Sequence, residues 1–129
     1  MSTLKVATIA DTGGSNGSTP AEIVNGRCKA WVSYNQKTPA VLDSYGVSSI
    51  GDNGAGRFTV NFSTNWANTN YVMTGVTNRE SQTGDAVPIV LGNSYQEWST
   101  SQARVCTGWQ PNGGLYDCER NCVAFFGEQ

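Results

Sequence analysis

The segment Asp52-Asn53-Gly54-Ala55-Gly56-Arg57-Phe58-Thr59-Val60-Asn61-Phe62 constrains the fold more than any other. Phe58, Val60 and Phe62 alternate with Thr59 and Asn61. A period of two puts the large apolar side chains on one face of a strand and the polar pair on the other. Immediately before it, Asp52 to Gly56 offers residues that tolerate positive φ, so the chain can reverse there. The pattern predicts a β-hairpin whose strand 57–63 buries its aromatic face.

Composition extends this to the whole chain. With 129 residues the chain is expected to form one domain. Fifteen glycines and 14% charged residues, with abundant Ser, Thr and Asn, suit a turn-rich all-β fold better than a helical one. The hydrophobic fraction of 38% is low for a self-sufficient domain. Association with further copies is one physical remedy, because it buries apolar surface that a monomer leaves wet. The formal net charge is −2, with eight Lys and Arg scattered along the chain. A nucleic-acid or anionic-membrane surface needs such residues clustered, so neither is expected as a partner. No run approaches a membrane span, and Met1 to Ala10 lacks the apolar stretch of a signal peptide.

Along the chain, residues 4–9 alternate enough to predict a short strand. Thr19-Pro20-Ala21-Glu22 reads as a capping box with proline at the first helical position, and Gly26 as a stop, so a short helix is expected over 20–25. Strands are expected near 28–35, 40–50, 57–63, 70–77, 86–92, 99–107 and 119–126. Turn signals about every ten residues favour a single antiparallel β-sandwich over a βαβ arrangement. The expected organisation is a glycine-rich N-terminal arm with a short helix over 1–27, used for attachment, and a sandwich over 28–129.

Four cysteines and no histidine bear on chemistry. No Cys-x-x-Cys pair exists, so zinc frameworks are missing and no metal or other cofactor is expected. A bridge from Cys106 to Cys118, or from Cys106 to Cys122, would close the loop through Asn112-Gly113-Gly114 and stabilise by about 2–4 kcal/mol. The alternative is free, partly buried thiols, as reducing assembly conditions favour. Without histidine, neither a Ser-His-Asp nor a Cys-His site can form. Gly13-Gly14-Ser15-Asn16-Gly17 lacks the lysine of a phosphate loop. Asp11, Glu22, Asp43, Asp52, Asp85, Glu97 and Asp117 leave a glycosidase-like carboxylate pair conceivable, but most occupy turn contexts where Asp bonds its own backbone. A non-enzymatic role is expected, with no catalytic residues.

Aromatic residues are the better binding candidates. Trp66, Tyr95, Trp98, Trp109 and Tyr116 fall in or beside predicted loops, where a flat ring can stack on a sugar. Core plugs or subunit contacts are the competing use. Trp98, Trp109 and Tyr116 are the candidate ligand-binding set, and Trp31 is expected to be structural.

The stretch from Ala30-Trp31-Val32-Ser33-Tyr34 through Ser44 to Phe62, with Asn70-Tyr71, also resembles a module of bacteriophage tail-fibre and related virion-surface proteins. That family's pattern runs AWVNF, a short turn, Ser-aromatic, NVSSI, a turn, Gly-aromatic-TVNF, a loop and NY. The lead-in Leu4 to Ile9, Gly26-Arg27 and the ending Cys122 to Gly127 are similar as well. Residues 78–121 match only in general character. Gly46 stands where the family usually has Asn, and Cys106 to Asn121 is an unusual insertion.

The resemblance implies a surface-exposed tail-fibre or fibre-head module, a homotrimer assembled in the host cytoplasm and carried on the virion. Its partners would be other virion proteins and host surface glycan. The chain's shortness, which leaves no room for a fibre shaft, favours instead a capsid decoration or head–tail accessory protein attached through residues 2–19.

Overall fold

The computed structural model describes residues 2–10, 12–14, 17–78, 89–92, 98–109 and 114–129, with 89–92 and 109 as backbone alone. Among the described residues, one short helix, α1 (Pro20–Gly26), precedes nine strands. These are β1 (Ala30–Asn35), β2 (Ala40–Tyr45), β3 (Val47–Asp52), β4 (Arg57–Phe62), β5 (Val72–Asn78), β6 (Ile89–Gly92), β7 (Gln102–Trp109), β8 (Gly114–Leu115) and β9 (Arg120–Phe126). They form two antiparallel sheets, ordered β2-β1-β9-β5 and β3-β4-β7-β6, with β8 paired to β7. The fold is an all-β sandwich.

The hairpin pattern sets the core. β3 pairs antiparallel with β4, and the chain reverses through 53–56. Phe58 and Val60 are fully buried and Phe62 nearly so. Thr59 is covered as well, but on the other face, where its hydroxyl donates to Asn53 Oδ1 at 2.6 Å. Across the sandwich, Val32, Tyr34, Val123 and Phe125 project from β1 and β9 against this row, and Ala103 and Val105 extend it on β7. The Tyr34 and Phe58 rings meet at 5.1 Å, one from each sheet. Gln36 is buried just past β1 and donates to the carbonyls of Gly54 and Arg57 at 3.1 and 3.0 Å. It ties the β1–β2 turn to the β3–β4 turn and holds the sheets together at that end.

The segment expected as one strand over 40–50 is two strands in different sheets. Gly46 breaks it, at φ +67°, with its carbonyl accepting from the Ser63 amide at 3.0 Å. A side chain there would meet the Lys29 carbonyl at 2.3 Å. Only glycine combines this left-handed backbone with so close an approach. The chain thus passes from the first sheet to the second within one residue.

Residues 4–9 are not a strand. Their one ladder contact is an isolated bridge between Ile9 and Ser18, and Leu4 is 86% exposed. Residues 4–9 are all exposed, so their alternation has no buried face to serve. The helix forms as the capping box requires. The Thr19 hydroxyl accepts from the Glu22 amide at 3.2 Å and Glu22 Oε2 accepts from the Thr19 amide at 2.7 Å. Those bonds hold the Glu22 carboxyl below its ordinary value. No residue of α1 is buried, so the cap supports the helix without help from the sandwich.

Candidate functional site

The β4–β7 pairing places Arg57 opposite Cys106 at one end and Asn61 opposite Gln102 at the other. The candidate aromatics divide between those ends. Trp98 belongs to the Phe62 end. Its ring lies 4.9 Å from Tyr71, which stacks on Trp66 at 5.0 Å with 26° between the planes. Phe62 meets Trp66, Tyr71 and Phe125 edge-on. Trp66 lies in the β4–β5 loop, as expected, but its side chain is in the core at 3% exposure, and its amide donates to the Thr100 carbonyl at 2.9 Å. Trp98 itself is 43% exposed, with its ring tilted at 57° against Tyr71.

Tyr71 fixes the segment that follows Trp98. Its hydroxyl donates to the carbonyls of Ser99 and Gln102 at 3.1 and 3.2 Å, and burial pushes its pKa up to about 12. The Ser99 and Ser101 hydroxyls, one and three residues on from Trp98, lie 3.1 Å apart. A part-exposed ring together with hydroxyls that donate and accept is the chemistry that can hold a pyranose ring.

Tyr116 sits at the opposite end. Its amide donates to the Thr107 carbonyl, and its own carbonyl accepts from the Thr107 hydroxyl at 2.8 Å. Gly56, at φ +62°, lies beneath it, where a side chain would come within 2.6 Å of the Tyr116 nitrogen. Six residues of β4 separate the two ends, about 20 Å at strand rise. Trp98 and Tyr116 therefore cannot grip one ligand as a set. The Trp109 side chain, with Tyr95, Asp85 and Glu97, lies outside the described residues.

The four cysteines are free thiols, the alternative to a bridge from Cys106. Cys106 alternates with inward Val105 and Thr107 and faces outward from the second sheet, whereas Cys122 alternates with inward Asn121 and Val123 and faces outward from the first. The sandwich separates them. Cys118 is fully buried, its sulfur 3.6 Å from the Tyr116 carbonyl. Burial raises the Cys106 thiol pKa, with Arg57 and Arg104 opposing, so it is a poor nucleophile.

The described acids serve the backbone. Asp52 accepts from the Gly54 amide at 2.9 Å, Asp117 from the Gly56 amide at 2.8 Å and Asp43 from the Ser44 amide at 2.8 Å, while Glu119 pairs with Lys37. No group of three or more metal-ligating side chains occurs among the described residues. A groove of about 540 Å³ runs past Asn35, Lys37, Asn78, Glu119 and Arg120.

The outer faces of the two sheets differ in kind. On the second, the register aligns Gly51, Thr59 and Arg104 in one row and Ser49, Asn61 and Gln102 in the next. That face is polar, as a solvated sheet should be. On the first, Tyr45, Trp31, Ala124 and Thr74 form one row, Asp43, Ser33, Cys122 and Val76 the next, and Phe126 pairs with Val72. Val72 and Val76 are more than 60% exposed and Tyr45 58%. A shallow groove of about 400 Å³ crosses β9 between Trp31 and Val76.

This second surface escapes a search confined to loop aromatics, but it has a signal. Cys122 to Phe126 is apolar at consecutive positions, as in a strand covered on both faces. Trp31, expected to be structural, stands half-buried on this outer face.

Comparison with protein-family models, with curated proteins and with solved structures finds no match for the chain.

Proposed function

We propose that this chain is a non-enzymatic structural protein of a bacteriophage virion, a surface-exposed module of the tail-fibre or fibre-head type that contributes to host attachment. The observation that carries the attachment role is Trp98, 43% exposed while packed against Tyr71, with the Ser99 and Ser101 hydroxyls following it in the chain. Its ligand is host surface glycan. The tail-fibre assignment rests on the resemblance over Ala30 to Tyr71, whose residues build β1 to β4. The protein works as a homo-oligomer, a trimer by that resemblance, assembled in the host cytoplasm and carried on the particle.

A second reading has one observation in its favour. Leu4, Val6 and Ile9 are exposed on a segment that joins neither sheet, which suits an arm docking on another virion protein. In that case the chain is a capsid decoration or head–tail accessory protein.

Particles carrying Trp98→Ala separate the two. The fibre reading expects adsorption to host cells to fall while the particle's heat resistance stays unchanged. Unchanged adsorption with reduced particle stability would overturn it in favour of decoration. Labelling on the particle gives an independent answer, at the tail tip or over the capsid.

A further inference from the structure

We propose that Asn25 is a deamidation site of the folded protein: attack by the Gly26 backbone nitrogen converts its carboxamide to a carboxylate, and α1 gates the reaction. The inference stands apart from the proposed function, since neither the virion nor the glycan enters it.

The chemistry needs only the next residue and water. The backbone nitrogen that follows an asparagine, once it gives up its proton to hydroxide, bonds to the side-chain Cγ. The Cγ–Nδ2 bond breaks and ammonia leaves. The five-membered succinimide so formed takes up one water at either carbonyl. It opens to aspartate, or to isoaspartate, in which the main chain runs through Cγ. Nothing is oxidised or reduced. Glycine favours the attack most, because it has no Cβ to hold its nitrogen away from the side chain and its backbone turns freely.

Asn-Gly occurs four times, at 16–17, 25–26, 53–54 and 112–113. Asn16 and Asn112 lie outside the described residues. The other two have opposite surroundings. At Asn53 both reacting groups are occupied. The Thr59 hydroxyl donates to Asn53 Oδ1 at 2.6 Å and ties that side chain to the outer face of the second sheet, while the Gly54 amide donates to Asp52 Oδ1 at 2.9 Å. The Asn53 amide and the Gly54 carbonyl are both bonded to the Arg57 backbone. Freeing the Gly54 nitrogen means opening the turn between β3 and β4, and β4 carries Phe58 and Val60 of the core.

Asn25 has no such protection. Asn25 and Gly26 are exposed, and the Asn25 carboxamide has no hydrogen-bond partner among the described residues. A Cβ added at Gly26 would meet nothing within 4 Å. The Gly26 amide is held by the last turn of α1, a seven-residue helix that buries no residue. That end has no basic side chain, and Arg27 follows it in an extended conformation rather than as a left-handed cap. Such a helix opens locally without disturbing the sandwich. The Thr19–Glu22 capping box at its other end is therefore what shields Asn25.

The product does not return to the helix. Its carboxylate sits at the negative end of the helix dipole, and isoaspartate lengthens the main chain by one atom, which puts the last turn out of step. α1 then stays open at the junction between the arm and β1.

The test is peptide mapping of the full chain by mass spectrometry, with fragmentation to place each conversion, during incubation in mildly alkaline buffer. Asn25 should convert about ten-fold or more ahead of Asn53, because a marginal helix end opens far more often than a core hairpin. In urea the lead should vanish, since unfolding leaves both sites only the shared Asn-Gly pair. Thr19→Ala should speed conversion at Asn25 by up to about five-fold, the factor by which a lost N-cap shifts a helix equilibrium, and leave Asn53 unchanged. Gly26→Ala should slow Asn25 in the folded protein and in urea alike. Asn53 converting as fast as Asn25 in the folded protein would overturn the inference, and so would a lead that Asn25 keeps in urea. A Thr19→Ala protein that converts at the wild-type rate would overturn it as well, because α1 would not be the gate.

Discussion

The Tyr71 hydroxyl donates to the Ser99 carbonyl at 3.1 Å, and in doing so couples the aromatic core to the segment that presents Trp98. The same hydroxyl reaches the Gln102 carbonyl at the start of β7. One proton therefore serves a turn that is otherwise held by serine hydroxyls and two backbone amides from Phe62 and Trp66.

Tyr71→Phe should cost about 1–3 kcal/mol, since two carbonyls lose their donor while the ring packing is kept. The effect should also depend on pH in a definite direction. Burial raises the folded-state pKa of Tyr71 from 10.0 to about 12. A group whose folded pKa is raised contributes stability that is complete below the unfolded value and is lost as pH climbs to the folded one. The advantage of the wild type over Tyr71→Phe should thus be constant up to about pH 9 and shrink between 10 and 12. Urea midpoints for both proteins at pH 8, 9, 10 and 11 check this; an advantage that grows with pH would contradict it.

Phe62→Ala should be among the most damaging core substitutions. Its ring makes edge contacts with Trp66, Tyr71 and Phe125, so truncation leaves a cavity that three rigid aromatics cannot close. A loss of about 3–5 kcal/mol is expected from denaturant unfolding. Asn61→Ala, one residue earlier on the outer face, should change stability by less than about 1 kcal/mol.

Gly46→Ala tests the crossing between sheets. The new methyl would meet the Lys29 backbone carbonyl at 2.3 Å while φ is held at +67°, and a backbone carbonyl cannot swing aside as a side-chain tip can. The two penalties together should exceed about 2 kcal/mol, read as a fall in the urea midpoint with an unchanged slope. Gly54→Ala is the control, because that glycine has a positive φ of 93° but open space around it. It should show the conformational penalty alone.

Local rules made much of this legible from residue order. The alternation of Phe58, Val60 and Phe62 gave their burial, and Thr19 to Glu22 gave the helix cap, because each depends on neighbours within a few positions. The break at Gly46 was hidden, since Ala40 to Ile50 reads as continuous strand and only the approach of Lys29, from another part of the chain, demands the turn. Trp66 is a loop residue, as its place in the chain suggests, but its burial was hidden for the same reason; what buries it is Phe62 and Tyr71 on either side of it in sequence, folded back in space. The candidate aromatics were found by type, but their separation to opposite ends follows from the β4–β7 register, which no single segment encodes.

The N-terminal arm offers the last prediction. The described residues among 2–18 meet the strands through no ladder, and α1 buries nothing, so the segment and the sandwich should behave as thermodynamically independent parts. Thr19→Ala removes the hydroxyl that caps α1 and should weaken that helix by about 1 kcal/mol. A seven-residue helix is marginal in water even when capped, so this loss is enough to melt it. The sandwich should not notice: its melting temperature should be unchanged, while amide exchange over 22–26 becomes fast. Deleting residues 2–19 should likewise leave the sandwich folded, with Val32, Phe58 and Phe125 still in one core. Its consequence should appear only in assembly, as weaker docking on the particle if the arm is the attachment element. A truncated protein that unfolds would mean that the arm closes the core, against the exposure of Leu4, Val6 and Ile9.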